Sequence, residues 1–369
     1  MKQTLILDSL EIRQFRAFRH LRVEHLSRVN LIVGKNDIGK TCLLEALFLY
    51  GHRVSPELLL AARGLLEARD ETSHPTRSTG NTQDQSIRHL FHRRKSLEEQ
   101  LEPIQIGSIN SPDDVTFIDI VWFTERTDQD GTRRWQLLPP EADDTVDTIV
   151  PGLRVRVGEQ TILRYPLYRD IRNLRHVTRP GKLKETPCIF IVTHGLGKDY
   201  VGQLWGNIAL TDLEQDVLAS LRIITPGIER VNLVGGSPMV KIAGLDDPLP
   251  LRGLGEGMNR LFGIVLALVN AQGGILLIDE IGTGLHYSIQ PDLWRLIFQV
   301  ARRLNVQVFA TTHSWDCIEA FQEAAQEQGQ EDGMLISLRD KKDEQGQVVA
   351  VLFDEKELGI VAREQIEVR

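Results

Sequence analysis

Residues 31–46, LIVGKNDIGKTCLLEA, constrain this chain more than any other stretch. Gly34, Gly39, Lys40 and Thr41 fall on the pattern G-x-x-x-x-G-K-[ST]. Two glycines without a Cβ let a short loop turn its backbone N–H groups inward around a polyphosphate. Gly34, Lys35, Asn36, Asp37, Ile38, Gly39, Lys40, Thr41 and Cys42 are therefore the candidate cradle. In such a loop Lys40 reaches the β- and γ-phosphates, and the Thr41 hydroxyl can ligate Mg²⁺. The flanks agree with this. Leu31-Ile32-Val33 suits a buried strand, and residues 41–48 read as a helix whose N-terminus faces the anion.

A second cluster stands far downstream. Ile275 to Ile278 is an apolar run that ends in Asp279-Glu280, the C-terminal end of a strand, where α/β sheets place ligands. One carboxylate there can hold Mg²⁺ and a second can orient or deprotonate the attacking water. Leu304 to Ala310 forms another apolar strand, followed by Thr311-Thr312-His313-Ser314, which sets His313 within reach of a γ-phosphate. Upstream, LRGLGEGMNRLFGIVLAL leads Gly253, Gly255 and Gly257 into an apolar helix, again an anion-binding start. Each of these signals is common alone. Their order is not.

Phosphate loop, long intervening segment, glycine-rich helix start, strand-Asp-Glu and strand-Thr-His-Ser together resemble the ABC-type ATPase domain. Within it the resemblance is to the RecF/SMC/OLD-like branch, over about residues 5–52 and 230–318. It implies an α/β fold, an ABC-type P-loop NTPase head with a mixed sheet flanked by helices. An insertion between Walker A and the signature motif and a C-terminal β-hairpin complete the expected chain. It also implies roles. Asp279 would be the Walker B magnesium carboxylate, Glu280 the catalytic base, and His313 the switch histidine. Residues 254–258, with Gly255, Glu256 and Gly257, would be the signature motif that completes the ATP site of an opposite protomer. ATP and Mg²⁺ are the implied cofactors. No N-K-x-D guanine motif is present, which favours ATP over GTP.

Two departures stand out. Transporter signatures carry serine where this chain has Gly255. The Q-loop glutamine has no decisive place either, since Gln83, Gln105 and Gln136 all lie between the motifs. The stretch DEIGTGLHYSIQPDLW is similar to that of OLD-like ATPases, but only about fifty residues follow His313, too few for a TOPRIM nuclease domain. No long heptad array is present, so a stand-alone ATPase is expected.

The expected domains are 1–52 with 226–334 as the ATPase, 53–225 as the insertion and 335–369 as a hairpin and short helix. Residues 69–86 contain no Val, Ile, Leu, Phe or Met, so a mobile loop is expected there. Strands are expected in 4–26, in DVTFIDIVWFTE, in RRWQLLP and in LRVRVGEQTILRYPLY, and a helix over 212–223.

The net charge of −8 gives no global nucleic-acid signature. Residues 153–184 depart from it, with nine Lys and Arg against two acids. Arg154, Arg156, Arg169, Arg172, Arg175 and Arg179 are the candidate nucleic-acid contacts. Arg154 and Arg156 also alternate with valines as an ordinary solvated strand would. A second basic run, HLFHRRK, spans residues 89–95. Three scattered cysteines suit a reducing cytoplasm, and no apolar run approaches the length of a membrane span.

Three function classes compete. One is a dimeric ATPase acting on DNA in repair or anti-phage defence, with a separate nuclease or toxin as effector. The second is an ATP-gated protein-assembly or sensor scaffold without nucleic acid. The third, a transporter ATPase subunit, is disfavoured by the altered signature and the long insertion.

Overall fold

The computed structural model describes residues 4–71, 85–94, 101–127, 133–138, 149–167, 185–328, 332–341 and 347–353. Its strands and helices, in chain order, begin with β1 (Leu10–Phe15), β2 (Phe18–Val23), β3 (Val29–Gly34), α1 (Lys40–Gly51) and α2 (Glu57–Glu67). An antiparallel run follows, β4 (Ile104–Gly107), β5 (Thr116–Thr127), β6 (Arg133–Leu137), β7 (Ile149–Val157) and β8 (Gln160–Pro166). Then come β9 (Cys188–Ile191), α3 (Lys198–Ile208), α4 (Asp212–Ile224), β10 (Ile228–Val234), β11 (Ser237–Ile242), β12 (Leu249–Pro250) and α5 (Glu256–Asn270). The last group is β13 (Ile275–Ile278), α6 (Gln290–Leu304), β14 (Gln307–Thr311), α7 (Trp315–Gln328), β15 (Gly333–Asp340) and β16 (Val348–Phe353).

The central sheet has the order β16-β15-β3-β14-β13-β9. All its neighbours run parallel except the β15–β16 pair. Every residue of β3, β13 and β14 is buried. That is why these strands read as unbroken apolar runs rather than alternating ones. Side chains alternate between two separate cores. Val29, Leu31 and Val33 of β3 face a cluster with α3 to α7, whereas Ile32 faces a cluster with α1.

α1 is buried nearly all round. It lies between the central sheet and a seven-stranded antiparallel sheet of order β2-β1-β4-β5-β7-β8, with β6 on β5. Leu43, Leu44 and Leu47 share one apolar cluster with Ile12, Ile106 and Val155 from one sheet and Leu277, Phe309 and Ile336 from the other. A helix hydrophobic on all faces has no other stable place. The phosphate loop is thus anchored at both ends in packed core.

The expected α/β architecture, a mixed sheet flanked by helices, is the fold observed. Strand pairings run across the expected boundaries. β1 and β2 pair into one sheet with β4, β5, β7 and β8, so residues 104–166 do not form a body apart from the N-terminal strands. β9, inside the expected insertion, is the edge strand of the central sheet, and α3 and α4 pack in the core of α5. Backbone ladders decide these pairings, and hydrophobic pattern does not name a strand's partner.

The strand expected over 304–310 begins later, at Gln307. α6 continues through Leu304 and ends on Asn305, whose φ of 54° is a left-handed stop. The helix expected over 212–223 is α4, and β15 and β16 form the expected antiparallel hairpin. The turn near Gly346 and the helix expected beyond 353 lie outside the described residues, as does most of the loop expected over 69–86. The ends of that loop are anchored. Arg69 pairs with Glu45 at 2.9 Å, and Ser86 is buried.

Candidate nucleotide-binding site

The parallel strands end on one edge of the central sheet, and the sequence motifs meet there. β3 runs into the loop at Gly34, and α1 starts at Lys40, so the first-turn N–H groups have no intrahelical partner. The glycines are required by space. A Cβ on Gly34 would lie 2.7 Å from the Leu338 carbonyl oxygen, and one on Gly39 2.9 Å from Phe18 Cζ. Gly39 also has φ of 107°, a left-handed conformation that a side chain resists. Asp37 at the loop tip shares that region, with φ of 65°.

Lys40 Nζ donates to the carbonyl oxygens of Gly34 at 2.8 Å and Lys35 at 3.2 Å, so its ammonium lies over the loop. Burial lowers its pKa from the ordinary lysine value, and Glu280, Asp279 and Asp37 pull it back up.

Across the loop, Asp279 leaves the end of β13. Thr41 Oγ1 donates to its two carboxylate oxygens at 3.2 and 3.3 Å. Thr311 Oγ1 donates to Oδ1 at 2.7 Å, and Thr193 Oγ1 to Oδ2 at 2.9 Å. An aspartate and a threonine hydroxyl offer hard oxygen donors. No cluster of three or more His, Cys, Asp or Glu is found among the described residues. That sparse oxygen set fits Mg²⁺, which keeps waters and takes its remaining ligands from phosphates.

Glu280 follows with φ of 50°, unusual for a residue with a Cβ and worth about 1–2 kcal/mol of strain. Its backbone is fixed on both sides. The Glu280 N–H donates to Thr311 Oγ1 at 2.8 Å, and Arg260 donates to its carbonyl oxygen at 3.2 Å. The side chain meets His313, with Nδ1 2.7 Å from Glu280 Oε2. Base and sensor candidates are therefore hydrogen-bonded to each other.

A cavity of about 780 Å³ opens over the loop. It is lined by Asn36, Asp37, Gly39, Lys40, Thr41, Cys42 and Glu280 together with Arg16, Ala17, Arg69, His92 and Arg93. Arg16 and Arg69 both hold the buried Glu45 of α1, at 3.0 and 2.9 Å. Sequence reading missed these cations, which come from segments remote in the chain. The HLFHRRK run was the one signal pointing to His92 and Arg93.

Arg260 was missed as well. From α5 its Nη2 donates to the Asp279 and Glu280 carbonyl oxygens, and its Nη1 to those of Val192 and Thr193. Gly255, Glu256 and Gly257, one turn earlier, stand elsewhere. None of them lines the cavity over the phosphate loop. Gly255 and Glu256 are exposed, and Glu256 lines a second cavity of about 560 Å³ with Thr193, Lys198, Arg252 and Thr283.

The other candidates separate. Gln105 lies on β4 and Gln136 on β6, neither lines the cavity, and Gln83 is outside the described residues. Arg154 and Arg156 both pair with Asp119 on the adjacent strand, at 2.9 and 3.3 Å, and Arg156 lies over the Phe117 ring. Arg169, Arg172, Arg175 and Arg179 lie outside the described residues.

Comparison with known proteins bears on this geometry. Residues 5–118 match a family described as AAA ATPase domain, and residues 213–316 match one described as AAA domain, putative AbiEii toxin, Type IV TA system. An ATP/GTP phosphatase of Helicobacter pylori is 21% identical over 348 residues, covering 87% of this chain and 89% of that protein. The DNA replication and repair protein RecF of Thioalkalivibrio sulfidiphilus is 49% identical over 45 residues, covering 12% of each chain. Among solved structures, the Smc head domain derived from Pyrococcus furiosus, bound to the C-terminal domain of ScpA, covers 97% of this chain and 99% of its own at 11% identity and TM-score 0.48. The SMC head domain from Thermotoga maritima covers 94% and 98% at 14% identity and TM-score 0.44. The two family matches span both halves of the site, and each agrees with a P-loop ATPase.

Proposed function

We propose that this chain is a cytoplasmic ATP hydrolase whose two copies close over two ATP molecules. The closed dimer is proposed to drive a DNA-linked process, repair or anti-phage defence, through a separate nuclease or toxin. One observation carries the hydrolase reading. Lys40 and Thr41 from one end of the sequence meet Asp279, Glu280 and His313 from the other, at the edge where the parallel strands end.

The roles follow from chemistry. The loop N–H groups and Lys40 hold the polyphosphate, and Thr41 with Asp279 would hold Mg²⁺. The metal supplies charge neutralisation of the phosphate oxygens. Glu280 accepts a proton from the attacking water, and its backbone, held by Thr311 and Arg260, aims the carboxylate. His313 ties that carboxylate to the γ-phosphate end of the site. Dimer closure is supported by Gly255 and Glu256, which are exposed and do not line their own chain's phosphate-loop cavity, free to face another copy's nucleotide.

Glu280→Gln keeps shape and removes the base. Turnover of ATP is expected to fall about 10²-fold or more, with an ATP-bound dimer accumulating in light scattering after size exclusion. Wild-type turnover in that variant would remove Glu280 from the role.

The scaffold reading, without nucleic acid, gains from one feature. Arg154 and Arg156 share Asp119, so this part of the basic segment is partly neutralised inside its own sheet. The two readings part on whether DNA changes turnover.

A further inference from the structure

Asp279 is braced by hydroxyls from three directions, and they are not equivalent. Thr311, at the end of β14, is fully buried. It donates to Oδ1 and accepts from the Glu280 N–H, so its hydrogen-bonding capacity is used within the protein. Thr41 approaches from the phosphate loop with the two longer contacts, 3.2 and 3.3 Å. Thr193 approaches from the opposite side, just past the end of the edge strand β9, half-buried, and donates to Oδ2 at 2.9 Å.

The placement of Thr193 is built into the sheet. β9 and β13 run parallel with Ile191 opposite Ile278, and the Asp279 N–H donates to the Ile191 carbonyl oxygen at 2.8 Å. Arg260 then binds the carbonyl oxygens of Val192 and Thr193 with one nitrogen and those of Asp279 and Glu280 with the other. The two strand ends are strapped together through one guanidinium. A hydroxyl fixed this way is in place before any ligand enters.

We infer, on the reading of this site as a magnesium–nucleotide site, that Thr193 is a positioning residue for its magnesium carboxylate. Were Thr41 to give its oxygen to a metal, Asp279 would keep one hydroxyl donor on each oxygen, Thr311 on Oδ1 and Thr193 on Oδ2. That pair sets the carboxylate's plane.

The test uses the full chain, a non-hydrolysable ATP analogue and Mn²⁺ as the probe, with free Mn²⁺ read by electron paramagnetic resonance. Thr193→Val keeps the shape and removes the hydroxyl, and Thr193→Ser restores it. Val is expected to weaken Mn²⁺ uptake roughly 10-fold or more, with Ser near wild type and the metal-free affinity for the analogue unchanged. If Val disturbs folding, Thr193→Ala at this half-exposed position replaces it. Wild-type Mn²⁺ uptake in the hydroxyl-less variant would overturn the inference. So would a Ser variant as weak as Val, because loop packing would then be the cause. A wild-type chain that takes up no Mn²⁺ with the analogue would instead overturn the nucleotide reading itself.

Discussion

The chemistry of this chain is concentrated in a few side chains whose settings are asymmetric. Lys40 is a cation with no carboxylate bonded to it among the described residues, resting on two backbone carbonyls that a phosphate oxygen would readily replace. Lys40→Ala is therefore expected to lower turnover by at least about 10²-fold and to remove nucleotide binding in calorimetry, while leaving the far-ultraviolet spectrum unchanged. Normal turnover would undo the phosphate-loop reading. Glu280 sits at the other extreme, in a strained backbone conformation that neighbours on both sides maintain. The identity of both residues was legible in the sequence, because G-x-x-x-x-G-K-T and strand-Asp-Glu are local patterns. Thr193 and Arg260 were not, because nothing near them in sequence marks a residue whose partner lies 86 or 19 positions away.

α5 is the element that links the most distant parts of the site. Its first residues, Glu256 and Gly257, follow the exposed Gly255, and one turn later Arg260 enters the core and holds four carbonyl oxygens at the ends of β9 and β13. Burial lowers the Arg260 pKa from the ordinary arginine value, and Asp279 and Glu280 oppose that shift. Arg260→Gln cannot span these acceptors. It is expected to cost about 2–4 kcal/mol of stability, read as a lower urea midpoint, and to reduce turnover with it. A variant of unchanged midpoint and turnover would show that the strap is dispensable. The helix itself was readable from its apolar run, but its role was not, since one arginine in an apolar helix carries no sign of what it will bind.

At the scale of the molecule, the DNA-linked and scaffold readings differ in what the proposed hydrolysis serves. The basic segment is the one strong charge asymmetry, yet of its described members Arg154, Arg156 and Arg164 the first two are engaged with Asp119, and Arg164 is exposed. DNA binding through this segment predicts ATP turnover that rises with duplex DNA and loses that rise at high salt, because each neutralised phosphate adds salt dependence. Turnover indifferent to DNA at both salt concentrations would favour the scaffold reading and a protein partner. No helix among the described residues is long and apolar enough to cross a membrane.

The sequence by itself marked the residues that the proposed phosphate chemistry calls on and that they flank buried strands. Those signals are local in backbone geometry, such as glycines at a sharp loop, carboxylates at a strand end and unbroken apolar runs. Only the tertiary structure decided how the chain is partitioned and what holds the site. The sheet joining β1 to β4 and the place of β9 beside β13 are long-range ladders, chosen by packing against α1 and α5 rather than by any neighbour in sequence. Thr193 reaches Asp279, and Arg260 reaches both strand ends, because those ladders bring them there.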